Sequence, residues 1–334
     1  MAFRDFNSPV VDIITGEMID PKNYDKAWYS ASLIQDYGKC PAKAYARITK
    51  QKQLNFALPL VNGSAAHWGM ESWLKERKDP IKAYNDYFRT ECEKQGQDPK
   101  IHEKKRLEGE HMMAVAWEQF KNPNFLDKVD PNLVEAGFRI GRDGRIFVGK
   151  LDLIFFKEPK RYNIIDFKSG AKPPSPEKLF TDVQFNMYPW ATFHDPSLPT
   201  NGIWPEYATW FHLQGEVTET RTVNHRDGTT SQKKVEKPEK GPDTRKRKFD
   251  FKTVPTPESV EKIFRDTIDP VCEDIEAGRW RRTRDFDSPM GCTGCTMFNK
   301  KTGDCGVQLP NDGLAERGGI ISLLDRADIG SKAA

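Results

Sequence analysis

Apolar positions in the first third of the chain recur at helical spacing. In "SASLIQDYGKCPAKAYARI", Leu33, Ile34 and Tyr37 share one helical face, and Ala44, Tyr45 and Ile48 share another. Cys40-Pro41 interrupts the two runs, and Ser32 is the expected N-cap of the first. In "NGSAAHWGMESWLKERKD", Asn62-Gly63 predicts a turn, after which Ala66, Met70, Trp73 and Leu74 make an apolar stripe. A further helix is expected from Glu103 to Phe120.

Beyond residue 130 the period changes from helical to alternating. "NLVEAGFRIGRDGRIFVGKLDLIFF" reads as two strands joined through Gly141 to Gly144, with Asp143-Gly144 as the hairpin signal. "RYNIIDFK" is a third strand. "EYATWFHLQ" is a fourth, after a helix around Phe180 to Phe193 that Pro189 is expected to kink or end at Tyr188. This order predicts an α/β core, a mixed central sheet flanked by helices. A last helix is expected from Pro257 to Gly278, ahead of a cysteine cluster. We read one structural domain with an N-terminal helical region (1–130), a core (131–214), a basic insertion (215–250), a C-terminal helix with cysteines (251–310) and a tail (311–334) that receives no role.

Composition narrows the function only slightly. The 334 residues carry 52 Lys+Arg against 49 Asp+Glu, a net charge of +3, too small to attract a polyanion by overall field. Local clustering is stronger. Ser231 to Lys248 holds eight Lys/Arg against Glu236, Glu239 and Asp243, and Pro238 and Gly241-Pro242 break it up. A mobile basic loop is predicted, the alternative being a solvated hairpin tip. The N-terminal stretch lacks the pattern of a secretory signal, and no run is long enough to cross a bilayer. A cytosolic protein is therefore expected. In a reducing compartment, six cysteines read as metal ligands or buried thiols sooner than as disulfides.

The candidate chemistry lies on the strands. Asp166 and Lys168 share one face of "RYNIIDFK", with Ile165 and Phe167 on the other. The same alternation puts Lys150 and Asp152 on one face of the preceding strand and Leu151, Leu153 and Phe155 on the other. If the strands pair, the two carboxylates converge, and a divalent cation is what makes such convergence favourable. Alone, an Asp-x-Lys pair is an ordinary surface ion pair. A lone histidine beside an apolar stripe, such as His67, is more often a packed core residue. Glu135 reads equally as a salt-bridged surface glutamate.

In chain order these residues form four motifs: Gly63 with His67, Gly149 with Asp152, Asp166 with Lys168, and Gln184 with Tyr188. From Ser30 to Cys305 the chain thereby resembles the RecB-like branch of the PD-(D/E)XK nuclease superfamily. The resemblance implies a restriction-endonuclease-like core. It implies that Asp152, Asp166, the Phe167 carbonyl and His67 bind Mg²⁺ or Mn²⁺, with Glu135 auxiliary. It further implies that Lys168 orients water or stabilises phosphate charge, and that Gln184 and Tyr188 reach the site from one helix face.

"GCTGCTMFNKKTGDC" spaces Cys292, Cys295 and Cys305 as x2 and x9, three ligands that need a fourth. "SASLIQDYGKCPAKAY" resembles the cysteine-bearing N-terminal segment of the iron-sulfur nucleases of the CRISPR-associated RecB-like and AddB types. That implies a [4Fe-4S] cluster on Cys40, Cys292, Cys295 and Cys305. The x9 interval is longer than that subgroup's and is expected to loop out; zinc and plain thiols remain the alternatives from spacing. Cys92 and Cys272 are expected to be plain packed or surface thiols. The resulting expectation is a metal-dependent DNA exonuclease acting at ends or on single strands, with a helicase or recombination protein as a candidate partner. The alternative is a non-catalytic or zinc-stabilised DNA-binding protein on the same fold.

Overall fold

Ser30, in extended conformation, accepts a hydrogen bond from the Leu33 N–H at 3.2 Å and so begins α1 (Ala31–Lys39). The computed structural model describes residues 8–51, 56–169, 181–212, 218–224, 230–236, 255–280, 295, 297–299 and 304–310. The cap is thus Ser30; Ser32, expected in that role, already lies inside the first turn. Cys40 is extended (φ −162°, ψ 108°), closing α1 and opening α2 (Pro41–Ile48), where Pro41 gives up no hydrogen bond.

Next come α3 (Leu58–Glu76), α4 (Pro80–Lys94), α5 (Glu103–Phe120) and the short α6 (Pro123–Leu126). Asn62-Gly63 does not turn the chain. It lies within α3, where the Asn62 amide oxygen is buried and accepts from Tyr84 OH at 2.7 Å. A packed partner overrides the local turn preference of that dipeptide.

The strands are β1 (Val10–Val11), β2 (Met18–Ile19), β3 (Trp28–Tyr29), β4 (Val134–Arg142), β5 (Arg145–Glu158), β6 (Arg161–Lys168) and β7 (Tyr207–His212). Asp143 and Gly144, both left-handed (φ 50° and 66°), make the tight turn between β4 and β5. β5 pairs antiparallel with β4 and β6, whereas β3 runs parallel to β5 and β7 parallel to β6. The result is the expected mixed sheet.

Two apolar clusters flank it. One gathers Ile34, Tyr45, Phe147, Leu151, Ile164 and Trp190, among others; the second gathers Met70, Phe88, Met113, Leu153 and Phe167. The expectation that Leu151, Leu153 and Phe155 share a face does not hold. Leu151 packs in the first cluster, Leu153 and Phe155 in the second. The alternation breaks in β4 as well, where Val134 belongs to the second cluster and Ala136 to the first. Between them Glu135 has φ 50°, a left-handed conformation that a non-glycine residue adopts only when its surroundings hold it there.

The helix carrying Gln184, α7 (Val183–His194), runs through Pro189 without ending at Tyr188. β8 (Thr218–Asn224) and β9 (Thr230–Glu236) form an antiparallel hairpin. The first six residues of the expected basic loop therefore belong to a strand; its remainder, from Lys237 to Lys248, lies outside the described residues. α8 (Pro257–Ile263), a π-helical turn (Phe264–Ile268) and α9 (Asp269–Glu276) make the last helix, and β10 (Phe298–Asn299) pairs with β11 (Asp304–Cys305). Among the described residues no helix is long and apolar enough to cross a membrane.

Candidate active site

β5 and β6 pair from Leu153↔Ile165 outward, and the same register sets Asp152 opposite Asp166. There the ladder stops. Asp152 Oδ2 accepts the Phe167 N–H at 2.6 Å, so a side chain replaces the missing backbone partner. The site occupies the fork where β5 leaves β6 to run beside β3 and β4.

Three donors converge on the β4 side of this fork. His67 Nδ1 lies 3.2 Å from Asp152 Oδ1 and 3.9 Å from Glu135 Oε1. One ligand atom from each of the three falls within 4.8 Å of the others. Glu135 opposes Asp152 across β4 and β5, and its left-handed backbone coincides with the break in alternation. α3 supplies His67. The helix crosses close to the end of β6, because a Cβ on Gly63 would stand 3.2 Å from Ser169 Oγ.

Asp166 stands beside this set. Its carboxylate pairs with Lys168 Nζ at 2.6 Å and receives Gln184 Nε2 at 3.4 Å. Lys168 Nζ also donates to Gln184 Oε1 at 2.7 Å, and Gln184 Nε2 donates to Tyr188 OH. The i, i+4 spacing of Gln184 and Tyr188 therefore puts both on the face of α7 that meets β6, and Pro189 leaves this undisturbed. Phe138 packs edge-on against Tyr188 (ring centroids 6.3 Å). It can do so because position 149 is glycine: a Cβ there would meet the Phe138 ring at 2.5 Å.

The electrostatics fit a cation. Burial pushes the Asp166 carboxyl well above its ordinary range; Lys168 opposes this, and the Asp152 charge adds to it. Asp166 Oδ2 is buried without a hydrogen bond of good geometry, leaving the Lys168 charge to balance it. Burial disfavours the His67 imidazolium, but hydrogen bonds to Asp152 and Glu135 outweigh that and raise its pKa to about 10. Two carboxylates and an imidazole also form a donor set suited to a hard or borderline divalent ion. Burial, with the charges of Asp166 and Asp152, raises the Tyr188 phenol far above its ordinary value and keeps it neutral.

Asp182 escaped the sequence reading. It caps α7, its carboxylate accepting from the Phe185 N–H at 2.9 Å and from Gln35 Nε2 of α1 at 3.0 Å. An Asp three places ahead of Phe185 was the available signal.

The cysteines form a separate group. Burial raises the Cys295 thiol pKa, and the neighbouring Cys305 and Cys40 thiols add to the shift. All three lie against the first apolar cluster. β10 pairs antiparallel with β11, Phe298 opposite Cys305, and Gly306 N–H bonds to Met297 O at 2.8 Å, which brings Cys305 back toward Cys295. Cys292 lies outside the described residues. Cys92 and Cys272 are fully buried, so of the packed and surface alternatives both are packed.

Comparison with curated proteins finds no match. Among solved structures, the chain is similar to a crystal structure from Eubacterium rectale, provisionally named an exonuclease. The two are 10% identical, with 81% of this chain and 92% of that one covered and a TM-score of 0.41. A profile described as the PD-(D/E)XK nuclease superfamily matches residues 29–298, most of the sequence and every motif residue of the fork, and the chain belongs to that superfamily.

Proposed function

We propose that this protein is an Mg²⁺- or Mn²⁺-dependent exonuclease of the RecB-like branch, cytoplasmic, acting at DNA ends or on single strands and stabilised by a [4Fe-4S] cluster. Members of the superfamily use divalent metals and act on DNA. The observation that carries the reading is the fork itself. His67, Glu135 and Asp152 meet on one side, and the Asp166, Lys168, Gln184 and Tyr188 chain lies on the other.

His67, Glu135 and Asp152 would hold the ion, with Asp166 beside them, and the imidazole makes Mn²⁺ as acceptable as Mg²⁺. A divalent ion there supplies Lewis-acid stabilisation of the negative charge that grows on the phosphate. Lys168 places its ammonium where it can orient a water or meet that charge, and Asp166 and Gln184 lock it in place. In the hydrolysis, the water oxygen bonds to phosphorus as the bond to the leaving oxygen breaks, and the leaving oxygen departs with a proton. Cys40, Cys295 and Cys305 are three of the four cluster ligands, with Cys292 as the fourth.

Lys168→Ala should abolish Mg²⁺- and Mn²⁺-dependent shortening of DNA labelled separately at each end while leaving DNA binding within a few-fold of wild type. Persistent cleavage would remove Lys168 from the mechanism. Cutting of a circular control as fast as of linear DNA would replace the exonuclease reading with an endonuclease.

A further inference from the structure

One residue beyond His67, the same helix exposes a tryptophan. Trp68 is 46% exposed and Leu60, two turns earlier, 59%. Ser64 lies between them on the same exposed side of α3, which borders the edge holding Gly63 and His67. Facing this strip from α4 is the half-buried Tyr87, whose ring centre lies 6.0 Å from that of Trp68 at 33°. Leu60, Ser64, Tyr87, Glu91 and Gln95 line an open pocket of about 140 Å³ between the two helices. Core packing accounts for Met70 and Leu74 on the opposite side of α3, but it leaves Trp68 and Leu60 in solvent.

We infer that Trp68 and Tyr87 form a stacking platform for an unpaired nucleobase of the strand whose phosphate enters the fork. The inference rests on the nuclease reading and deepens it toward single-stranded substrates. Three observations select a base as the occupant. Trp68 follows His67 directly on α3, so the platform borders the helix edge that supplies the ligand set. It offers the aromatic faces of Trp68 and Tyr87 with the exposed Ser64 one turn before Trp68 at its edge, which suits a π-face with a polar rim. The adjoining pocket's charged lining residue is Glu91, an acid already paired with Lys94 at 2.7 Å, so the lining is neutral overall and suits an uncharged base, leaving the backbone phosphate to Lys168 and the fork. In a duplex the bases are paired and stacked and cannot reach such a surface.

The test uses the full chain in chelator, so that no cleavage is measured, with fluorescent thymidine oligonucleotides and fluorescence anisotropy. Trp68→Ala should weaken single-strand binding roughly 5- to 100-fold, and Trp68→Phe should retain most of it. A single abasic residue walked along the oligonucleotide should cost the wild type a comparable factor at one position. At that position it should cost Trp68→Ala almost nothing further, while binding of blunt duplex stays within twofold. Thermal melting controls for folding, and little change is expected because Trp68 is largely exposed. Equal binding by wild type and Trp68→Ala overturns the platform, as does an abasic penalty independent of Trp68. A change confined to self-association also overturns it and marks the patch as a protein contact. Loss of the nuclease reading would instead appear as no cleavage with either metal, a measurement this binding cycle does not use.

Discussion

His67 sits between two carboxylates that hold its proton up to a pKa of about 10, well above the ordinary histidine value of 6.5. The sign of the consequence is fixed by which state needs the proton. A metal ligand must be a neutral imidazole, so the ion and the proton compete for Nδ1. Between about pH 7 and pH 9 each ion bound should release close to one proton, and affinity should rise by up to tenfold per pH unit. Titration calorimetry in buffers of different ionisation enthalpy reads this as a slope near one. His67→Ala should flatten that slope and weaken binding; an unchanged slope would place the released proton elsewhere. For the metal-free protein the linkage runs the other way. The His67 ion pairs stabilise the fold fully below about pH 6.5, and that contribution fades as pH climbs through about 10.

At the scale of elements, α7 presents Gln184 and Tyr188 only if its first turn is held, and Asp182 holds it from within while Gln35 steadies Asp182 from α1. Asp182→Ala should therefore lose about 1 kcal/mol of stability, seen as a melting point lower by a few degrees, and cleavage should fall with it. Asp182→Asn, which caps equally well, should restore both. A stable, fully active Asp182→Ala would detach the cap from the chemistry. The same scale explains what could be read without coordinates. The Asp143-Gly144 hairpin and the "RYNIIDFK" strand were legible because turn chemistry and two-residue alternation act over a few neighbours. Asn62-Gly63 misled because its turn preference is local and the Tyr84 contact that overrides it is distant. The break in alternation at Glu135 and Asp152 left no local trace, since a non-glycine in left-handed backbone is imposed by two strands meeting a third. For that reason the sequence grouped Leu151 with Leu153, and kept Glu135 auxiliary although it stands with His67 and Asp152.

Across the whole molecule, the start and end of the described chain are tied to each other independently of the fork. Gln51, just beyond α2, exchanges two hydrogen bonds with Gln308, its Nε2 to Gln308 O at 2.8 Å and Gln308 N–H to its Oε1 at 2.9 Å. Tyr37 OH donates to Arg279 O at 2.9 Å, and Tyr29 OH to Glu276 at 3.1 Å. Arg145, nearly buried, pairs with the same Glu276 at 2.9 Å and so anchors α9 to the sheet. Cys40 opens α2 within this junction, and the β10–β11 hairpin brings Cys305 to it from the other end. A cluster on these thiols would close a loop of more than two hundred residues, and closing so long a loop removes much of the freedom of the unfolded chain. The two sites should then fail separately. Anaerobically purified protein should be brown and carry four irons with four sulfides. Cys305→Ser should bleach it and lower its melting point by several degrees, whereas Lys168→Ala should keep both colour and melting point while losing cleavage. Colourless protein with one zinc per chain would keep the clasp and replace its metal; protein with neither metal, melting as Cys305→Ser does, would leave the junction to the hydrogen bonds and to Arg145.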